Sequence, residues 1–394
     1  MAKSVIPIGP YHPLQEEPEF FTLTVDGETV VDIDVNIGYN HRGIEKLSEL
    51  KTFDQSTFVI ERICGICSTS HPFAYTRAVE DIIPVEVPER AKYIRTTIAE
   101  GERVHSHLLW LGLAGHFLGY NTVYMWVWKL REEILDVMEI LSGNRNNYAI
   151  FKPGGVRRDF NPDDIPLALR KIDSIVPTLN KLKKAIIDDP VLHARLKGIG
   201  ILTREDALDY CALGPTSRAS GVAKDVRKDA PYGAYDQVDW DMIVTQNGDV
   251  FEKVVVRVLE VFESIKIMKQ CLMNLPPGEI DLNIKNIPPG EGIGAHEAPR
   301  GETFHYVRSD GTNRPARHKV RAPTFMNLPT CKSTVIGETI SDATIILASV
   351  DPCYCCTERM AVRTSEGKRI YGGQDLIRLS QEKTQRIRRK MGIK

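Results

Sequence analysis

The rhythm of hydrophobic and polar positions changes several times along the chain. Residues 20–37, FFTLTVDGETVVDIDVNI, alternate apolar and polar side chains about Asp26-Gly27, the pattern of two strands closed by a tight turn. From about Ser56 to Ser142 the spacing is helical, over long stretches free of proline. One helix is expected from Val87-Pro88 to about Leu113, because proline fits a first helical turn. Another is expected from about Tyr120 to Leu141, stopped at Ser142-Gly143-Asn144. Residues 152–166 read as a loop, and Leu167 to about Leu196 as an amphipathic helix interrupted at Asp189-Pro190. Thr203-Arg204-Glu205-Asp206 carries a helix-start signal. Residues 213–236, rich in Gly, Pro and Ser, read as irregular, and Asp239 to Leu275 as helix. Dense Gly and Pro from Pro276 to Pro329 predict short strands and ordered loops. A short helix capped by Ser341 should run to Leu347, and Asp375 to Lys394 should form a basic amphipathic helix.

There is no internal repeat, low-complexity tract or flexible linker. The pattern predicts one domain over residues 1–394, mainly α with a small N-terminal antiparallel β-sheet, an α+β class. Its parts are the hairpin at 20–37, a helical core at 56–275, a loop-rich segment at 276–356 and a tail with a helix at 357–394. A prior of roughly 150 residues per domain would allow two or three, so the single domain rests on the cysteine pattern described next. The 51 Lys+Arg and 52 Asp+Glu leave a formal net charge of −1, which argues against a nucleic-acid partner. Leu108 to Val127, the most apolar stretch, is broken by Gly112, Gly115, His116, Gly119 and Asn121, so no membrane-spanning helix is expected. The start, MAKSVIPIGPYHP, has no signal-peptide core, and a cytoplasmic location follows as an expectation.

Eight cysteines in a chain without an export signal read as metal ligands or redox groups rather than disulfides. Four form two pairs of identical spacing, Cys64-x-x-Cys67 and Cys353-x-x-Cys356. Thiolates select soft metals. A structural zinc site, a four-thiolate iron–sulfur cluster and a catalytic metal centre buried between helices all use such pairs, and spacing leaves the three open. Whichever holds, joining pairs so far apart in the chain needs one core enclosed by most of it.

The flanking residues separate them. Arg62-Ile63-Cys64-Gly65-Ile66-Cys67 with His71, and Asp351-Pro352-Cys353-Tyr354-Cys355-Cys356, resemble the paired RxCGxC…H and DPCxxC signatures of the [NiFe] hydrogenase large subunit. Further segments resemble the energy-converting, membrane-bound (group 4) branch of that family, among them His41-Arg42-Gly43-Ile44-Glu45-Lys46, Glu102-Arg103-Val104-His105-Ser106-His107 and Glu297-Ala298-Pro299-Arg300-Gly301-Glu302. The resemblance spans essentially the whole chain and implies the family's bundle of long helices. The branch is homologous to the quinone-site subunit of respiratory complex I, which lacks the four cysteine ligands.

By this resemblance Cys64 and Cys353 would be terminal nickel ligands, and Cys67 and Cys356 would bridge nickel to an iron carrying CO and cyanide. Splitting H₂ needs a Lewis-acid metal and a nearby base, and a terminal thiolate could be that base. Arg300 would hold a permanent positive charge over the site, and Glu17 would gate protons. His71, Asp351, Pro323 and Thr324 would support the ligands by hydrogen bonding, while Cys355 would only pack. The family's magnesium site has Glu45 here, but Arg359 stands where many members have histidine. A Glu45–Arg359 ion pair is expected in place of the magnesium. No cysteine set is left for an iron–sulfur cluster in this chain, which implies a small partner subunit carrying a [4Fe–4S] cluster. Further iron–sulfur and membrane subunits and a ferredoxin-type donor are implied by the branch, placing the chain peripherally on the cytoplasmic face of the membrane. The runner-up reading is a complex-I-like subunit reducing a quinone or another acceptor, with Tyr75 and His12 near the positions that family uses.

Overall fold

The computed structural model describes residues 3–13, 15–357, 362–364, 367, 370–371 and 373–393. Three strands open it: β1 (Ser4–Ile8), β2 (Phe20–Asp26) and β3 (Thr29–Asn36), an antiparallel meander in the order β1-β2-β3. The expected hairpin is β2–β3, with Asp26 opposite Thr29 and Gly27 supplying the positive φ (62°) the two-residue turn requires. Phe21, Leu23 and Val25 point inward and are buried. The added strand β1 escaped the sequence pattern because Pro7 lies inside it; as an edge strand it tolerates the missing N–H.

Short helices α1 (Ile44–Ser48) and α2 (Phe53–Ile60) lead to α3 (Ser70–Ile82), α4 (Glu89–Phe117) and α5 (Asn121–Ser142). The last two follow the expected bounds: Pro88 precedes α4, and Gly143 ends α5 at φ 80°. A two-residue ladder, β4 (Phe151–Lys152) with β5 (Gly155–Val156), lies within and just before the stretch read as loop. The long amphipathic stretch is two helices, α6 (Ile165–Asp188) and α7 (Pro190–Leu196), split where Asp189 accepts the Val191 and Leu192 N–H groups at 2.8 and 2.9 Å. Three short helices follow, α8 (Arg204–Asp209), α9 (Gly214–Arg218) and α10 (Val226–Asp229), the last two inside the segment read as irregular. The expected helix from Asp239 starts later, as α11 (Val250–Met273). Asp249 caps it by accepting the Glu252 N–H at 2.8 Å, so the polar stretch before it is loop.

The Gly- and Pro-rich segment builds a second meander, β6 (Gly290–Ala298), β7 (Gly301–Ser309) and β8 (Pro315–Arg321). Its glycines have a packing reason: a Cβ on Gly292 or Gly294 would overlap the carbonyl oxygens of Ala78 or Ala74 in α3. Helices α12 (Pro323–Asn327), α13 (Cys331–Val335) and α14 (Ile340–Ser349) return the chain to the core. The cap of α14 is Thr339 rather than Ser341, its hydroxyl accepting the Asp342 N–H at 3.3 Å. Strands β9 (Val362–Arg363) and β10 (Ile370–Tyr371) and helix α15 (Gly373–Lys390) form the tail. The fold is α+β and about half helical, with small antiparallel sheets. A large apolar core gathers around α4, α5, α6 and α11, and a smaller one around α2, α3, β7 and β8 holds the paired cysteines.

Candidate metal centre

Each cysteine pair is shaped by its own turn and braced by other segments. Cys64 leaves a 3₁₀ turn (Glu61–Ile63) in extended backbone, and its Sγ accepts the N–H groups of Ile66 and Cys67, both at 3.3 Å. Immediately afterwards the free N-terminus of α3 is closed by Glu102 of α4, whose carboxyl accepts the Thr69 N–H, the Ser70 N–H (3.2 Å) and the Ser70 hydroxyl. At the other pair, Asp351 adopts φ 54°, a left-handed conformation that short polar side chains tolerate, and turns the chain out of α14. The Cys353 N–H then donates to Thr324 Oγ1 at 3.1 Å, and a 3₁₀ turn (Tyr354–Cys356) brings Cys356 round. Arg42 ties the turns together, donating to the carbonyls of Arg62 (2.7 Å), Ile63 (2.6 Å) and Cys355 (3.3 Å).

The result is four buried, unbridged thiols whose sulfurs all lie within 4.8 Å of one another. Cys353 Sγ is 3.2 Å from Cys64 Sγ and 2.8 Å from Cys356 Sγ. Among the described residues, no other set of three or more His, Cys, Asp or Glu converges this way. Hydrogen bonds from its neighbours, Cys353 first, hold Cys64 well below the usual thiol range, while burial pushes Cys356 well above it. Buried soft donors that share protons so closely fit a soft transition metal, which takes the place of those protons. Hard-cation chemistry does not fit this donor set.

Arg300 sits at the β6–β7 turn, 1% exposed. Its guanidinium meets Asp351 Oδ1 at 2.7 Å and the Asp351 carbonyl at 2.8 Å, and reaches Ser106 Oγ (3.1 Å) and Cys67 Sγ (3.4 Å). Asn327 donates to the Arg300 carbonyl at 3.3 Å, and the backbone of Gly214 lies too close to the turn for any side chain there. Glu17 accepts the Cys355 N–H at 2.6 Å; burial, then Cys64, pushes its carboxyl up against the pull of that bond. His71 Nε2 lies 3.4 Å from Cys356 Sγ. Pro323 and Thr324 are buried at the start of α12. Thus Cys64, Cys67, Cys353, Cys356, Arg300, Asp351, Thr324, His71 and Glu17 come together.

Glu45 lies in a cleft of about 260 Å³ that reaches Cys355 and Cys356, and its carboxylate bonds Lys319 Nζ (2.8 Å) and the Val320 N–H (3.0 Å). Its expected partner Arg359 falls outside the described residues. Tyr75 is fully buried and donates to the Phe53 carbonyl at 3.2 Å, while His12 is half-buried in the β1–β2 connection. Sequence reasoning assigned no role to Arg42, Glu102, His305 or His318. The last two face inward on β7 and β8, and the period-2 alternation of those strands was the available signal.

Known proteins resemble this chain over nearly its full length. The family model for the respiratory-chain NADH dehydrogenase 49 kDa subunit matches residues 118–287 and 282–359, and that for nickel-dependent hydrogenase matches residues 42–113. The membrane-bound hydrogenase subunit alpha of Pyrococcus furiosus is 40% identical over 97% of this chain and 93% of its own length. The carbon monoxide-induced hydrogenase of Rhodospirillum rubrum is 40% identical over 91% of this chain and all of its own. A chain in the solved membrane-bound sulfane sulfur reductase, an archaeal respiratory membrane complex, superposes with a TM-score of 0.86 at 32% identity, over 91% of this chain and 98% of that one. The chain belongs to the family that unites the large subunits of membrane-bound nickel-dependent hydrogenases with the 49 kDa subunit of respiratory complex I.

Proposed function

We propose that the chain is the catalytic large subunit of an energy-converting, membrane-bound [NiFe] hydrogenase that reversibly reduces protons to H₂. The observation that carries this reading is the cluster of four buried, unbridged thiols from two CxxC turns. Cys64 and Cys353 would hold nickel alone, and Cys67 and Cys356 would share it with an iron bearing CO and cyanide. When bound, this group supplies the electrophilic metals at which the H–H bond is made or broken.

The chain's own residues do the rest. The Arg300 guanidinium, fixed by Asp351 and Ser106, sets a permanent positive charge against Cys67 without exchanging a proton. A ligand thiolate takes or gives the first proton. Glu17, bonded to the backbone of the second cysteine turn and with its pKa raised by burial, passes that proton onward. Electrons travel through a partner subunit carrying a [4Fe–4S] cluster, fed by a ferredoxin-type donor, and further iron–sulfur and membrane subunits couple the reaction to ion movement. No helix among the described residues is long and apolar enough to cross a membrane, so those partners hold the chain on the cytoplasmic face.

The test is H₂/D⁺ exchange by the purified complex, with and without an added electron acceptor. Exchange that needs no acceptor supports catalysis at this subunit. A complex that reduces a quinone or sulfur compound but never exchanges H₂ would favour the complex-I-like alternative.

A further inference from the structure

Three buried histidines and a serine form an unbroken line from the cysteine cluster to the first helix. His71 Nε2 faces Cys356 Sγ at 3.4 Å, and His71 Nδ1 meets His305 Nε2 at 3.1 Å. His305 Nδ1 meets His318 Nε2 at 2.9 Å, and His318 Nδ1 meets Ser48 Oγ at 2.7 Å. The four come from α3, β7, β8 and α1, and each is at most 1% exposed. The Tyr75 ring packs edge-on to both His305 and His318, while its hydroxyl bonds elsewhere, to the Phe53 carbonyl.

We infer that Ser48, His318 and His305 act as positioning residues which fix the tautomer of His71, so that its Nε2–H is donated to Cys356. The inference deepens the proposed function and rests on reading Cys356 as a metal-bound thiolate. Each ring is at most 1% exposed, with both nitrogens taken up by the line itself, surroundings that disfavour a charged imidazolium. A neutral imidazole has one N–H and one lone pair. At each ring-to-ring contact one nitrogen must therefore donate and the other accept, so the choice made at one ring is imposed on all three.

Only two arrangements satisfy the line. In the first, every ring carries its proton on Nδ1. Ser48 then accepts from His318 and donates to the Glu45 carbonyl (2.8 Å), but His71 turns a lone pair toward the sulfur. In the second, every ring carries its proton on Nε2. Ser48 donates to His318, and His71 donates to Cys356. A metal-bound thiolate has no proton and can only accept, which selects the second arrangement. The charge-assisted bond gained at the sulfur is about twice as strong as the neutral serine bond given up.

The experiment is magic-angle-spinning NMR of the metal-loaded complex with ¹⁵N-labelled histidine, combined with infrared spectra of the iron's CO and cyanide ligands. The expected result is Nε2–H on His71, His305 and His318 together. Mixed tautomers, a common Nδ1–H form or a doubly protonated ring in nickel-loaded protein would overturn the ladder alone. Absence of nickel and of the CO and cyanide bands would overturn both the ladder and the proposed function. His305→Phe removes the donor to His71 Nδ1. It should place His71 in exchange between tautomers and shift the CO and cyanide bands. His305→Gln, whose amide can both donate and accept, should restore the single form and the native bands. Unchanged His71 signals and bands in His305→Phe would show that His305 only packs, and would also overturn the inference.

Discussion

Serine in place of Cys64, Cys67, Cys353 or Cys356 keeps the size of the side chain but offers a hard, poorly ionised oxygen to a soft metal. Each of the four variants should lose nickel and fall to background in H₂/D⁺ exchange. Cys355 is different: it is half-buried, its N–H holds Glu17, and its side chain lies outside the cluster of four. Cys355→Ser should retain metal and activity and change stability by no more than about 0.5 kcal/mol. Glu17→Gln is nearly isosteric but cannot take up and release a proton. Exchange with solvent should drop by about 100-fold or more, while metal content and ortho/para conversion of H₂ persist, since conversion needs only a proton held locally. Loss of ortho/para conversion together with exchange would indicate a damaged centre. The four cysteines, Arg300 and Glu17, which the fold brings together, could be singled out in sequence because each stands in a short fixed motif. Glu102 and Arg42 were not assigned, because their work is to brace backbone, and their partners Thr69, Ile63 and Cys355 are joined to them only by the fold.

Helices were easier to read than strands. Periodicity located α4 and α5 closely, and Asp189-Pro190 marked the break between α6 and α7. The segment of β6–β8 read as short strands and ordered loops without strand bounds, because its glycines at 290, 292 and 294 imitate a flexible segment, whereas they let the strand lie directly on α3. This makes the glycines sensitive. A Cβ at Gly294 would overlap backbone atoms of Ala74 and Ala78, which cannot swing aside. Gly294→Ala should cost about 2–4 kcal/mol of stability and, by pushing β6 from α3, should also weaken metal retention. Thr339→Ala removes the cap of α14 and should cost about 1 kcal/mol with the metal still bound. Thermal unfolding with metal analysis of each variant distinguishes the two. Equal stability of Gly294→Ala and the parent would refute the packing argument.

Across the molecule, elements distant in sequence are joined by a buried ionic network. Arg218 of α9 pairs with Glu260 of α11 and Glu297 of β6, both at 2.8 Å, and Glu260 also bonds His107 of α4 at 2.9 Å. Arg227 links Glu100 (3.1 Å) and Asp225 (2.7 Å) nearby. These groups interrupt the apolar faces of α4 and α11, which is why their polar positions gave no hint of burial. Arg218→Met leaves two buried carboxylates without their cation, and should destabilise the protein by about 3–5 kcal/mol although no metal ligand is touched. The convergence of the cysteine pairs followed from the sequence. The line of histidines did not, because strand pairing, not the alternation that turns His305 and His318 inward, aligns them.

The most direct measurement of the central claim is the metal content of the purified complex together with its infrared spectrum. The account predicts one nickel per copy of this subunit, with CO and cyanide bands of a single iron that disappear in Cys356→Ser. Zinc bound to the four thiolates, with no such bands and no H₂ exchange, would contradict it.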